Sequence, residues 1–321
     1  MGSISEAMPD VEIPLIDISG YIKGDKEQTV RIAAELHSAC QNPGFFQITG
    51  HTVPAELRAL LLAKLAEFYR LPTSQKNALH RSQSKCLRGY EMLGEQRLEI
   101  AFADQKEGFM IGPDFPADAG FLQGPNQWPE EEAIPRFREV FTTYFEEVLA
   151  LSKTMFRLMA LSLSLDEHFF DAFVGSRDSI SMCRAHRYPP TTLEMAHKSR
   201  GIGAHTDFGA LTLLMQDDIG GLEVFHKPSQ TWHSVQPTKN AFVVNIGDMM
   251  ERWTNKMYTS TLHRVISPIS SKDRYSVAFF NEGLLEQTIE CIPTCLKPGE
   301  KPFFEPITAE AHLRSRYKRS Y

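Results

Sequence analysis

The sequence predicts a mainly β core of sandwich or jelly-roll type, with flanking helices, packed against an α-rich N-terminal region. Three observations carry this. From about residue 180, apolar runs of four to seven residues alternate with turn signals, the pattern of closely spaced antiparallel strands. Up to about residue 175 the spacing of apolar residues is mainly helical. No internal repeat or low-complexity tract suggests a solenoid.

The elements follow in order. Ile13 to Ile18 and Gly44 to Thr49 read as short strands. Between them, Glu27 to Gln41 carries Val30, Ala33, Ala34 and His37 at helical spacing. Pro54 to Arg70 reads as a second amphipathic helix, with proline in the tolerated first turn. A third begins near Pro135, where Phe137, Val140, Phe141, Tyr144, Phe145 and Val148 give a wide apolar face. The β region contains Ser181 to Tyr188, Ala210 to Met215, Leu222 to Phe225, Ala241 to Ile246, Ser260 to Ile266 and Tyr275 to Asn281. Its turns include Asp217-Asp218-Ile219-Gly220-Gly221 and Lys227-Pro228-Ser229. The tail from Leu284 is proline-rich, then helical near Thr308 to Lys318.

Composition excludes several classes. The chain of 321 residues is long enough for one or two domains with a sizeable core. A net charge of −6 and a pI near 6.0 give no basic field for nucleic acid or an anionic membrane. Hydrophobic residues at 42% and charged residues at 23% exclude wholesale disorder. No apolar run approaches a membrane span. Met1 to Pro9 lacks a signal-peptide pattern, and Glu6 stands where a myristoylation start needs Ser or Thr. Cys40, Cys86, Cys183, Cys291 and Cys295 show no framework spacing, so reduced thiols in a cytoplasmic protein are expected.

The chemistry concentrates in His205, Asp207 and His263. If the segment is extended, His205 and Asp207 share one face of a strand. Two neutral imidazoles and a carboxylate suit non-haem Fe(II), leaving its other positions open. A lone His-x-Asp is weak, and the context strengthens it. His263 follows in a separate strand-like segment, and Arg274-Tyr275-Ser276 comes after it. On a strand, Arg274 and Ser276 again share a face and form a receptor for a carboxylate. Apolar neighbours Val277, Ala278, Phe279 and Phe280 argue that Arg274 is buried, and a buried Arg needs an anionic partner.

With these residues in place the chain resembles the isopenicillin-N-synthase-like, plant-type branch of the 2-oxoglutarate/Fe(II)-dependent dioxygenases. The resemblance runs through Ile13-Pro14-Leu15-Ile16-Asp17, Gly44-Phe45-Phe46-Gln47 with Gly50-His51, Phe68-Tyr69-Arg70-Leu71-Pro72 and Arg88-Gly89-Tyr90. It continues through Asp104 to Phe109, Gly124 to Pro129, Ala204 to Leu214, Gly221-Leu222-Glu223-Val224, Val244 to Asp248, Leu262-His263-Arg264-Val265 and Arg274-Tyr275-Ser276.

The resemblance implies a double-stranded β-helix core at residues 178–283, an N-terminal region at 1–177 and a C-terminal extension with a helix at 284–321. It implies Fe(II) on His205, Asp207 and His263, with the distal carboxylate of 2-oxoglutarate on Arg274 and Ser276 and a further contact from Tyr188. O2 would be the oxidant and a small organic molecule, of the secondary-metabolite class, the substrate. Where the family usually carries Asn two residues before this Tyr, the chain has His186. His186, Phe208, Leu222 and Phe280, with Arg88, Tyr90 and Phe109 from the N-terminal half, are candidates to line the substrate pocket. His226 and His233 are expected to face solvent, Trp232 and Trp253 to be core, and Asn245-Ile246-Gly247-Asp248 to be a structural turn. Two other readings stay open here: an Fe(II) oxidase of the same fold that does not use 2-oxoglutarate, and a non-catalytic jelly-roll binding module.

Overall fold

The computed structural model describes residues 13–99, 103–117, 119–196 and 199–320. The Met1 to Pro9 stretch lies outside them. Twelve strands build two facing sheets. In chain order they are β1 (Leu15–Asp17), β2 (Phe45–Thr49), β3 (Gly89–Glu91), β4 (Glu107–Ile111), β5 (Ser179–Tyr188), β6 (Ile202–His205), β7 (Leu211–Gln216), β8 (Leu222–His226), β9 (Thr231–Ser234), β10 (Phe242–Ile246), β11 (His263–Val265) and β12 (Arg274–Leu284). The larger sheet runs β1-β2-β10-β7-β12-β5-β4-β3 and the smaller β6-β11-β8-β9. Non-sequential neighbours and antiparallel pairing give the jelly-roll arrangement that the strand spacing predicted.

The central strand is β12. It pairs antiparallel with β5 from Arg274 to Leu284 and with β7 from Ser276 to Asn281. A bulge between Asn281 and Gly283 ends the regular ladder. Gly283 has φ of +68°, and a Cβ there would lie 2.0 Å from the Phe173 ring, so only glycine fits the bend.

Helices cover the outer face of this sheet. Phe137–Ser162 lies across it, burying Phe137, Phe141, Tyr144, Val148 and Met155 at intervals of three, four or seven residues. Lys26–Gln41 begins at an Asp25 cap, whose carboxylate accepts from the Gln28 amide at 3.0 Å. Its buried face is Ile32, Ala33, Leu36, Ala39 and Cys40. That differs from the expected stripe: Val30 is 70% exposed. Two residues before Ile32, it stands about 200° round the helix from it, on the solvent side. Among the described residues no helix is long and apolar enough to cross a membrane.

Four strands went unmarked by the apolar-run pattern: β3, β4, β6 and β9. β3 and β4 are two short, wholly buried segments containing Gly89, Glu91, Glu107 and Gly108. β9 is an exposed edge strand. There Trp232, expected in the core, is only half-buried, stacked between Phe225 and the guanidinium of Arg264. Trp253 is core as expected. All five cysteines are free thiols.

The N-terminal helices are tied to the sheet by aromatic rings. Phe109 of β4 packs on Phe68 at 4.6 Å between centroids, on Phe137 at 5.5 Å and on Phe141 at 6.3 Å. Phe109 is fully buried there. Phe109→Ala should therefore cost about 3–5 kcal/mol of stability, read as a lowered midpoint in urea unfolding.

Candidate metal and cosubstrate centre

His205 and His263 stand directly opposite each other on the antiparallel pair β6/β11. Cross-strand partners on one face are close by construction, and the two rings lie 4.3 Å apart between centroids. Each Nδ1 sits against a backbone carbonyl, Gly203 O at 2.8 Å and Thr261 O at 3.0 Å. A carbonyl only accepts, so each Nδ1 carries the proton and each Nε2 presents a lone pair. Both Nε2 atoms are 3.7 Å from Oδ1 of Asp207. One ligand atom from each residue lies within 4.8 Å of the other two. Asp207 does not share the strand face of His205, since β6 ends at His205. Its carboxylate is aimed instead by donors to Oδ2: Thr212 Oγ1 at 2.6 Å and Asn245 Nδ2 at 2.8 Å. Oδ1 is left for the shared point. Burial works against the Asp207 charge, yet the facing imidazoles and these hydrogen bonds hold its pKa below the ordinary value. Burial, then the neighbouring His263, pushes His205 down to about 4, so its imidazole is neutral at pH 7. Two imidazole nitrogens and one carboxylate oxygen, orientated by second partners, fit a non-haem Fe(II).

The second feature is Arg274, which is 0% exposed at the start of β12. Its Nη2 donates to Gln216 Oε1 at 2.9 Å and its guanidinium lies 4.7 Å over the Tyr188 ring. Ser276 Oγ lies 3.4 Å from Nη1. Nε has no partner, and no described carboxylate pairs with Arg274. A fully buried, unneutralised guanidinium next to a hydroxyl fits a bound carboxylate.

The chain is similar to proteins already known. Residues 13–131 match the family model for the non-haem dioxygenase N-terminal region, described from morphine synthesis, and residues 179–283 match that of the 2OG-Fe(II) oxygenase superfamily. The chain is 39% identical over 319 residues to a 2-oxoglutarate-Fe(II) type oxidoreductase of Emericella nidulans, covering 96% of this chain and 90% of that one. The chain belongs to the 2OG-Fe(II) oxygenase superfamily. It is 34% identical to the clavatol oxidase of Penicillium crustosum, with 98% of each chain covered. A full-length Neurospora crassa protein solved in complex with alpha-KG superposes with a TM-score of 0.88 at 29% identity over 100% of both chains. The same Neurospora protein has been solved with alpha-KG and thymine together. The present oxygenase is thus an enzyme that uses Fe(II), 2-oxoglutarate and O2, which removes both the binding-module reading and support for the oxidase that dispenses with 2-oxoglutarate.

The oxygenase gathers most of the remaining candidates around one cavity. Tyr188, His186, Phe208, Leu222 and Phe280 line it with the triad and Arg274. Three do not. Arg88 is buried behind β4, where Nη2 donates to the Leu122 carbonyl and lies over Gly112. Tyr90 donates its hydroxyl to Glu107 at 2.5 Å. Phe109 points into the aromatic cluster. The pleat explains two of them: Phe109 and its cross-strand partner Tyr90 lie on the side away from the cavity, while Met110 lies on the cavity side. Asn245 is a correction too. It belongs to β10, not a turn, and holds Asp207. Gly247 does meet a backbone demand, since a Cβ would sit 2.1 Å from Gly209 O.

Strand parity would have found several missed residues. Met182 and Arg184 continue the face of His186 and Tyr188, and Glu282 continues that of Arg274 and Ser276. Tyr317 had no such signal. It comes from the helix Ala309–Ser320, seated across the cavity mouth by His312 Nε2 donating to Phe208 O at 2.9 Å, and by Arg316 on Thr206 at 3.0 Å and Asp248 at 2.5 Å.

Behind His186 lies a buried charge network. Glu91 accepts from Lys106 Nζ at 2.6 Å, from Arg184, and faces Arg81 Nη1 at 3.1 Å. Burial opposes its ionisation, but these three cations hold Glu91 far below the carboxylate range. Burial and the cations of Lys106 and Arg184 keep the His186 imidazole neutral. Glu91→Gln would remove the carboxylate that pairs with buried Lys106, while Arg81 keeps Glu95 and Arg184 keeps Gln96, and should destabilise the fold by about 3–5 kcal/mol, measured by urea unfolding.

Proposed function

We propose that His205, Asp207 and His263 hold the iron of this oxygenase, that Arg274 and Ser276 bind the distal carboxylate of 2-oxoglutarate beside Tyr188, and that the substrate is a small organic molecule, of the secondary-metabolite class, oxidised in the same cavity. The observation that carries this is one cavity joining three inward-facing ligand atoms to a buried guanidinium without a carboxylate partner. Bound Fe(II), with 2-oxoglutarate and O2, supplies oxidising power by converting the keto acid to succinate and CO2, one oxygen atom passing to succinate and the other to a hydroxylated product.

The residues of the chain perform the remaining tasks. Gly203 and Thr261 carbonyls fix the imidazole tautomers, and Thr212 and Asn245 hold one Asp207 oxygen so that the other is free. Gln216 and the Tyr188 ring hold Arg274 in place before a carboxylate arrives, so little orientation is lost on binding. Met182, Phe208, Leu222 and Phe280 give the wall its apolar character, and the terminal helix narrows access for water. A small organic substrate is supported by these apolar walls, by the thymine complex of the Neurospora protein and by the clavatol oxidase among the relatives.

The test is an anaerobic titration of Fe(II)-loaded enzyme with 2-oxoglutarate, followed by its weak visible charge-transfer band. Arg274→Ala should weaken cosubstrate binding about 30-fold or more, the effect of removing one partner of a buried charge pair. Unchanged affinity would sink the assignment of the anchor. An Asp207→Ala, His263→Ala double variant should lose stoichiometric iron by metal analysis, and retained iron would refute the metal site.

A further inference from the structure

One buried group in the cavity has no part in holding iron or cosubstrate. Glu282 is 2% exposed and lines the same cavity as the triad. Its Oε2 has no hydrogen-bond partner, and no described residue forms an ion pair or hydrogen bond with its carboxyl. A carboxyl in such surroundings costs stability whichever way it is protonated. Burial, then the neighbouring carboxylates of Asp207 and Asp248, pushes it up to about 8. Space is kept for it by glycine: a Cβ on Gly209 would lie 2.5 Å from Oε2.

Its position along β12 says which ligand it meets. Arg274, Ser276, Ala278, Phe280 and Glu282 alternate onto one face, and all five line the cavity. At ~3.3 Å per residue, Glu282 is about 26 Å along the strand from Arg274. Thr212, which holds Asp207, is the cross-strand partner of Phe280. The metal ligands thus stand between the cosubstrate end of the strand and Glu282. Around the far end are Met182, across from Phe280, and Phe208 and Tyr317 from the mouth. At this apolar end Glu282 Oε2 has no protein partner; the other such atoms among the described lining residues, His186 Nε2 and Arg274 Nε, lie at the Ser276 end of the strand.

We propose that Glu282 is the recognition residue for the prime substrate, its carboxyl accepting a hydrogen bond from an N–H or O–H group of a small, otherwise apolar molecule. Both protonation states of a carboxyl keep an accepting oxygen, so the selected feature is a donor on the substrate. A molecule without one leaves the buried carboxyl unsatisfied and is disfavoured. The donor also fixes which carbon is turned towards the iron. This rests on the assignment of Arg274 to the cosubstrate.

The test uses the full chain loaded with redox-silent Zn(II) and saturated with 2-oxoglutarate. Phenol and benzyl alcohol are compared with their donor-less methyl ethers, anisole and benzyl methyl ether, by ligand-observed saturation-transfer NMR. Wild type is expected to bind the donor-bearing member of each pair about 3–10-fold more tightly. That preference should fall below about twofold in Glu282→Leu and partly survive in Glu282→Gln, whose amide oxygen still accepts. A preference unchanged in Glu282→Leu, or none in wild type, overturns the proposal. Glu282→Leu should melt no lower than wild type, because an apolar side chain of similar volume replaces an unpartnered buried acid. The Fe(II) charge-transfer titration separates the two assignments. A normal 2-oxoglutarate band without donor preference overturns only the role of Glu282, while absence of the band from wild type overturns the cosubstrate reading and this one with it.

Discussion

Antiparallel pairing of β12 with β5 on one side and β7 on the other is the constraint from which the centre follows. Once Arg274 is set opposite Tyr188, the pleat decides every later neighbour. Ser276 meets His186, Ala278 meets Arg184, and Phe280 meets Met182 and Thr212. A slip of one residue would exchange all of these for Tyr275, Val277 and Phe279, whose side chains serve the helix-covered face. The cavity floor is one side of one sheet, and the long helix Phe137–Ser162 holds the other side.

The smaller sheet contributes the two imidazoles, and its register is equally decisive. His205 opposes His263 across β6 and β11, so the imidazole side of the proposed metal site is a cross-strand pair. Asp207 is the exception, lying beyond the end of its strand. It depends on Thr212 and Asn245 from the larger sheet, so the ligand set is complete only when the two sheets face each other.

Buried charge is handled in two ways. Lys106, Arg184 and Arg81 converge on Glu91, with Glu95 as a second partner of Arg81, and are paired within the chain. Arg274 and Glu282, at opposite ends of one strand face, are not. Fully paired networks specify a structure, whereas an unpaired buried charge or acid is retained at a cost in stability and points to a ligand. That difference separates the supporting framework from the working surface of the cavity.

Much of this was legible in the sequence. Alternating apolar runs and turns predicted the β core, because strand burial has period two, and three long helices followed from a period of 3.6. The residues His205, Asp207, Arg274 and Ser276, which the spacing singled out, come together around one cavity, since few residue types suit iron or a carboxylate. Tertiary structure alone decided the rest. Arg88, Tyr90 and Phe109 lie near the centre in the chain pattern, yet the pleat of β4 and the helices behind it turn them away. Asn245 reads as a turn residue until β10 brings it against Asp207. Tyr317 reaches the mouth only because the terminal helix folds back onto Phe208. Local sequence dictates periodicity and the chemistry of each side chain. Which face meets which partner depends on register and sheet packing, and those are set by contacts between residues far apart in the chain.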